Sequence, residues 1–519
     1  MINRNFIIKN KSFYYKRKNF NLLAKQKFDQ IFKLFINVYL KRHDNINERY
    51  LKITCFQSVQ LIADALYYYP YLIFKKDAEI VEISHSASHD LVESANDLNI
   101  LDNINTLSKR DIYDFNFKKN IRYSNPKKNK LSLLVKIFLK LVSIIPIKKR
   151  ILTDIINLKF YFKLIKKGFK PIFLDSSDFN SKINLQFDKE IRKSLYEEAK
   201  LIFLNNQNDY KALNLFDIFV LFAILPIKIV ENFSNLKKNL KIPKEGFYKK
   251  ILITQIITAK DEINFWLAGQ ILKNKTPIEI IQHGSGYFIL DYDSNFNHEV
   301  NVSDKFYCYA KKSSSKFQQH SITRTFNKNK NKKYDLLMIP SDWSYLYGVK
   351  SMPFGSLIDK NRSEQINFIK NIKFTKNFII KKPPVLYAGY KEIMKKNDLS
   401  NKIVNTNLTK LVPEAKIIVC SYVGTTFFEL MANDMPFITF TKLSENSFSE
   451  EFDLYMKKLK NFNFLFYSSY SAAKFLNENY HNFFNLWNDV EFSKFREEFR
   501  DNWCKKEKNW QEIFIKNIY

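Results

Sequence analysis

Apolar residues recur at three- and four-residue spacing through FDQIFKLFINVYL and again through QSVQLIADALYYYPYLIF, which predicts helices within residues 20–75. Residues 85–130 are polar, rich in Asn, Asp and Ser, and read as connecting chain. Apolar and basic positions interleave through LSLLVKIFLKLVSIIPIKK and ILTDIINLKFYFKLIKK, which predicts two basic amphipathic helices divided by Pro146. From residue 168 the pattern alternates between short apolar runs and amphipathic stretches. GFKPIFLD, YKKILITQIIT and TPIEIIQ read as strands, and DEINFWLAGQILKN as a helix with two acids in its first turn. A second alternating set follows the polar stretch TFNKNKNKK (325–333): strands YDLLMIP, NFIIK, KIIVC, MPFITF and FNFLF, crossed by helices. The last forty residues read as helical.

Strands crossed by helices imply parallel sheets. The expected class is α/β, with two Rossmann-like doubly wound domains facing a cleft and extra helices at both ends. The expected boundaries are a helical N-terminal region over 1–125, a first Rossmann-like domain over 126–325 on the acceptor side, and a second over 326–470 on the nucleotide-donor side. Helices in 471–519 are expected to pack back across the domains.

Composition narrows the function classes. The chain has 519 residues, 45% hydrophobic and 26% charged, ample for more than one core and unlike a disordered chain. Lys and Arg number 84 against 52 Asp and Glu, a formal net charge of +32. AT-rich codon usage yields the same excess of Lys, Asn, Ile, Phe and Tyr without selection on charge. The functional alternative is an anionic partner. Residues 127–170 hold thirteen basic residues and one acid, Asp154, and basic amphipathic segments suit an anionic membrane surface. The N-terminus has no apolar run of signal-peptide length, and the longest apolar stretch, Leu215 to Val230, is too short and too interrupted to span a bilayer, so the expected location is the cytoplasm, peripheral at the membrane's inner face. The four Cys form no CxxC, which argues against a structural zinc site or a disulfide framework. His85 and His89 have metal-clamping spacing without an evident third ligand, and Asp291-Tyr292-Asp293 is the one Asp-x-Asp. The expectation is no metal and no cofactor.

Two loops carry candidate chemistry. Gln282-His283-Gly284-Ser285-Gly286 follows a buried strand, and the whole chain has only 9 Gly. Two of them within three positions point to a tight turn or a close approach to a ligand. His283 there suits a general base or a phosphate donor. In Ser421-Tyr422-Val423-Gly424-Thr425-Thr426 a strand gives way to a helix whose first N–H groups suit a diphosphate. Ser421, Gly424, Thr425 and Thr426 are the candidate contacts, and Glu429, one turn on, can reach a ribose diol. No P-loop occurs.

VCSYVGTTFFELMANDMPFITF resembles the donor segment of GT-B glycosyltransferases. With QHGSGY, SDKFYCYA, LKRHDNINERYLKI and SSYSAAKFLNENYHNFFNLWNDVEFSKFREEF, the chain resembles a transferase family of O-antigen and surface-polysaccharide gene clusters, first described in leptospires. The resemblance implies a GT-B-like fold and glycosyl transfer from a nucleotide-sugar, which is a substrate and not a cofactor, to a glycan or lipid-linked acceptor. It implies that His283, Gln282, Gly284 and Gly286 line the acceptor side, and that Ser421, Gly424, Thr425, Thr426 and Glu429 hold the donor. Lys382 (or Lys381) stands where the family has an Arg, and a lysine does not grip phosphate bidentately. Competing readings are a polyol-phosphate transferase using a cytidine-diphosphate donor, a nucleic-acid-binding protein, and a non-catalytic scaffold. No RNA-binding or zinc-finger motif supports nucleic acid.

Overall fold

The computed structural model describes residues 17–56, 58–59, 62–63, 90–92, 118–122, 140–142, 144–155, 157–174, 188–239, 248–254, 261–284, 287–290, 294–327, 331–341, 355–373, 377–383, 388–441, 448–507 and 509–518. His85, His89, Ser285, Gly286 and Asp291–Asp293 lie outside them.

Two short strands, β1 (Asp90–Val92) and β2 (Lys118–Arg122), pair in parallel within a region expected to be helical or connecting. The first large sheet contains β3 (Arg150–Thr153), β4 (Lys170–Phe173), β5 (Tyr248–Ile253), β6 (Ile278–Ile281), β7 (Lys305–Cys308) and β8 (Phe317–Gln319). It is wholly parallel, in the order β4-β3-β5-β6-β7-β8. The second contains β9 (Tyr334–Ile339), β10 (Phe378–Lys381), β11 (Ile403–Val404), β12 (Ala415–Cys420), β13 (Phe437–Phe440) and β14 (Leu465–Phe466), in the order β11-β10-β9-β12-β13-β14 and again parallel. Each order reverses direction once, between β3 and β5 and between β9 and β12. Such reversals open the crevices in which doubly wound sheets bind ligands.

Residues 151–153 correct the sequence reading. ILTDIIN was expected within a basic helix, yet Ile151, Leu152 and Thr153 are buried strand residues paired to β4 on one side and β5 on the other. A strand buried on both faces shows no alternation, so periodicity cannot separate it from a buried helical turn. The amphipathic helix starts only at Leu158, where Asn157 accepts from the Phe160 N–H, and it buries Phe160, Tyr161 and Leu164.

The N-terminal helix Arg17–Arg42 shares one buried core with the first sheet: Phe28, Ile31, Phe35 and Tyr39 belong to the same cluster as Leu152, Tyr248 and Phe265. Lys27 pairs with buried Asp217 at 2.8 Å, and Asp217 completes a capping box with Asn214 at the start of helix Leu215–Ile224. The stretch joining the sheets is pinned to the second half. Phe326 is buried, its N–H donates to Asn433 Oδ1, and Lys333 pairs with Glu414. The C-terminal helices Val490–Trp503 and Trp510–Ile518 return to the first half. Lys311 N–H donates to the Asn502 carbonyl at 2.7 Å, and Trp510 stacks on Phe160.

Arg192 is fully buried on helix Lys189–Asn205. It grips both carboxylate oxygens of Glu231, at 2.6 and 2.9 Å, and donates to the carbonyls of Phe222, Ala223 and Leu225. It thereby satisfies the end of helix Leu215–Ile224, whose last carbonyls lack partners of their own. Arg192→Leu leaves the Glu231 carboxylate buried without its partner, and urea denaturation should show a loss of about 3–5 kcal/mol.

Candidate active site

The two Gly-containing loops meet. β6 ends at Ile281, and Gln282 turns the chain toward the second half. Its amide donates to the Gly284 carbonyl at 2.6 Å and accepts from the Tyr309 N–H at 2.9 Å. Gln282 is therefore a buried brace of the loop, with both ends of its amide given to backbone. A Cβ added at Gly284 would stand 3.4 Å from Thr425 Oγ1, at the start of helix Thr425–Ala432 in the other half. That is close van der Waals contact, so the backbone of one loop lies directly against the other.

His283 lies beside this meeting point with an exposed edge. Its Nδ1 is 3.0 Å from the Thr254 carbonyl and 2.8 Å from the Tyr287 hydroxyl, which in turn donates to Glu299 Oε2 at 2.7 Å. Thr254 follows β5, and its N–H and hydroxyl donate to Asp154 at the end of β3 at 2.8–3.1 Å. These bonds cross the first sheet's reversal point. Burial lowers the pKa of His283, partly offset by the Thr254 carbonyl, so the ring is neutral at neutral pH.

Across the cleft, the N-cap of helix Thr425–Ala432 is Gly424, and no side chain caps it. A Cβ at Gly424 would collide with the ring of Tyr422, so this glycine makes room for Tyr422 in the first instance. The Tyr422 hydroxyl hydrogen-bonds the Thr426 side chain, and burial pushes its pKa up to about 12. Ser421 is buried at the second reversal point. Its hydroxyl accepts from the Ser341 N–H at 2.9 Å, beside Asn361 and Gln365, which donate to Ser341. Lys382 follows β10 on the same sheet edge. Its N–H donates to the Val404 carbonyl, and its own carbonyl accepts from Lys381 Nζ.

Glu429 has a partner that periodicity and motif spacing did not suggest. Arg324, in the stretch joining the two sheets, donates to Glu429 Oε2 at 2.6 Å. The Glu429 side chain is 9% exposed and that of Arg324 40%, so the carboxylate is inside and part of the guanidinium faces solvent. The Arg324 carbonyl accepts from Asn433, which also binds Phe326 N–H and Lys506, so the cation's backbone is tied to the end of the same helix. Tyr309, Tyr287, Thr254, Asp154 and Glu299 were not singled out from sequence. Tyr287 and Tyr309 lie in the quoted motifs QHGSGY and SDKFYCYA, and Asp154 is the lone acid of a basic stretch, whereas Thr254 and Glu299 carried no signal.

Chemically the site offers a helix start with a glycine N-cap, a fixed and partly solvated guanidinium, a neutral imidazole and a close junction of two loops. Among the described residues no group of three His, Cys, Asp or Glu could hold a metal ion.

A family model described as LIC12162 family transferase matches residues 78–518. Among solved structures, the chain is similar to the S. aureus MnaA–UDP complex, with 13% identity, 71% of this chain and 96% of that chain covered, and a TM-score of 0.37. It is similar to the lipopolysaccharide outer core galactosyltransferase WaaB in its apo form, with 10% identity, 72% and 99% covered, and a TM-score of 0.34. It is also similar to the spinosyn rhamnosyltransferase SpnG complexed with spinosyn aglycone, with 7% identity, 72% and 100% covered, and a TM-score of 0.34. No curated protein matches. Two parallel helix-flanked sheets, meeting at their loops, are the α/β GT-B-like fold that the sequence resemblance implies.

Burial raises the pKa of Glu429 above the usual carboxylate range, and Arg324 opposes the shift. A carboxyl with a raised folded-state pKa binds its proton more tightly when folded, so its contribution to stability falls as pH rises. Arg324→Gln removes the opposing cation. Its stability deficit should be small near pH 4 and grow to about 1–3 kcal/mol by about pH 8. Urea denaturation across that range checks the slope, and a deficit independent of pH would mean that Glu429 does not depend on Arg324.

Proposed function

The chain belongs to the LIC12162 family of transferases, and we propose that it moves a sugar from a nucleotide-activated donor to a hydroxyl of a lipid-linked or surface-polysaccharide acceptor. The near contact of Gly284 with Thr425 carries this reading, because it puts His283 of one half beside the helix start of the other. A donor diphosphate fits the N-terminal end of helix Thr425–Ala432, whose N-cap is a glycine, and the solvent-facing part of Arg324. Arg324 and Lys382 supply positive charge as the diphosphate leaves. His283 stands on the acceptor side.

The acceptor's setting is read from the first half. Leu141, Ile144 and Phe162 are 60%, 73% and 53% exposed, and Leu158 is exposed beside them in sequence. Exposed Lys140, Lys148, Lys149, Lys159, Lys166 and Lys167 are interspersed with them. Apolar side chains rimmed by lysines suit an anionic leaflet. No helix among the described residues is long and apolar enough to cross a membrane, so docking on the surface is the proposed mode.

Thermal unfolding with UDP, GDP, CDP, CMP and dTDP tests the donor site. The right nucleotide at a hundred times its dissociation constant should stabilise the protein by about 2.7 kcal/mol. Arg324→Gln should abolish that gain. His283→Ala should keep it while turnover falls about a hundredfold or more. A response to no nucleotide sinks the reading, and a cytidine response with a phosphodiester product would replace sugar with polyol-phosphate transfer.

Vesicle sedimentation tests the surface. Binding should require anionic lipid and disappear at high salt, with each lysine near the leaflet contributing about 1 kcal/mol. Equal binding to neutral vesicles would make the charge a matter of composition.

A further inference from the structure

The Nδ1 side of His283 is occupied from two directions. Thr254 offers a carbonyl, which can only accept, so Nδ1 carries the proton. The Tyr287 hydroxyl donates its hydrogen to Glu299 Oε2, and so turns its oxygen toward the same Nδ1 proton. Tyr287 and Glu299 are buried, and Glu299 sits on helix Ser294–Val302, packed against the loop. On the other side, Asp154 takes both the N–H and the hydroxyl of Thr254, which fixes the peptide whose carbonyl faces the ring. Tyr287, Glu299 and Asp154 are the titratable groups linked to the ring through these bonds.

We infer that the chain Glu299–Tyr287–His283–Thr254–Asp154 locks the imidazole with its proton on Nδ1 and presents Nε2 as the base for an inverting, single-displacement transfer. This rests on the sugar-transfer reading of the cleft. In that step the acceptor hydroxyl gives its proton to Nε2 while its oxygen bonds to the anomeric carbon. The bond from that carbon to the phosphate oxygen breaks, and the nucleotide diphosphate leaves with the electron pair. The imidazolium so formed already has its second N–H held by the Thr254 carbonyl and the Tyr287 oxygen, with the Glu299 carboxylate one bond further on. Tyr287, Glu299 and Asp154 are positioning residues. The alternative job for His283, a charged donor to phosphate, is opposed by burial, which favours the neutral ring. A buried carboxylate that fixes a histidine tautomer for a base is an established device in hydrolases, where its neutral isostere yields the wrong tautomer. The difference here is a tyrosine between acid and imidazole.

The test is nitrogen-15 NMR of the histidine rings in the full chain without donor, with His283 assigned by loss of its signals in His283→Gln. At pH 8, Nδ1 should be protonated and Nε2 bare. Tyr287→Phe and Glu299→Gln should populate the Nε2-protonated tautomer. Each should lower kcat about tenfold or more, with KM and thermal stability unchanged. In the wild type, kcat/KM should rise with pH through an inflection below the ordinary histidine value of about 6.5, and the product should have inverted anomeric configuration. Protonated Nε2 at pH 8, unchanged tautomers in both variants, or a retained anomer would each overturn the inference. The NMR reading needs no substrate, so it stands or falls separately from the sugar-transfer reading.

Discussion

The site depends on a short antiparallel crossing between the halves. Leu290 bridges Phe448, Ser449 N–H donates to the Ile289 carbonyl at 3.0 Å, and the Ser449 hydroxyl donates to the Phe288 carbonyl at 2.7 Å. Phe288 takes a φ of 65° to reach this position, a conformation that is uncommon and costly for a bulky side chain. Strain of that kind costs on the order of 1–3 kcal/mol and persists only where the surroundings over-determine it. Here Lys312 lies over the Phe288 ring, and Phe296 and Phe317 pack edge-on against it. Lys312 also covers Trp503 and pairs with Glu451, so one cation ties the first half to two helices of the second. Once residues 287–290 are fixed against 448–449, the Gly284 loop, a few residues earlier, has little choice but to face Thr425.

The same solution recurs at both reversal points. Strands diverge there, and the crevice would be free to widen if nothing spanned it. In the first sheet Asp154 reaches across to Thr254, and in the second Ser421 accepts from Ser341. Each bridge uses a short polar side chain directly after a strand, so it adds little entropy cost. Ser421 thus supports the Gly424 loop from beneath, and Gln282 supports the Gly284 loop in the same way. Several residues chosen from sequence for ligand contact, Ser421 and Gln282 among them, brace the backbone of their own loops.

Eight of the twelve strands in the two large sheets and both loops were legible because each rests on local pattern, β-branched runs and glycine where glycine is scarce, whereas β7, β8 and β11 were not read as strands. Residues 151–153 were misread because a doubly buried strand has no period. Arg324 was not legible because its partner Glu429 is 105 positions away, and it stands just before the polar stretch TFNKNKNKK without a motif of its own. Thr254 and Asp154 stand 100 positions apart, and neither has a motif. The roles of Tyr287 and Glu299 depend on hydrogen-bond direction, which follows from three-dimensional placement and from which partner can only accept.

That dependence explains how a chain with a net charge of +32 places acids in its cleft. A lysine or arginine donates in every direction, and a hydroxyl can reverse. An ionised carboxylate only accepts, so it fixes the direction of every bond it joins. Asp154 orients Thr254, Glu299 orients Tyr287, and Glu429 orients Arg324. Each acid sits one bond behind the group that faces the cleft. The exposed groups are then a neutral imidazole on one wall and a partly solvated cation on the other. The chemical difference between the two walls thus follows from where the acids lie, and the surrounding positive charge need not be arranged with comparable accuracy.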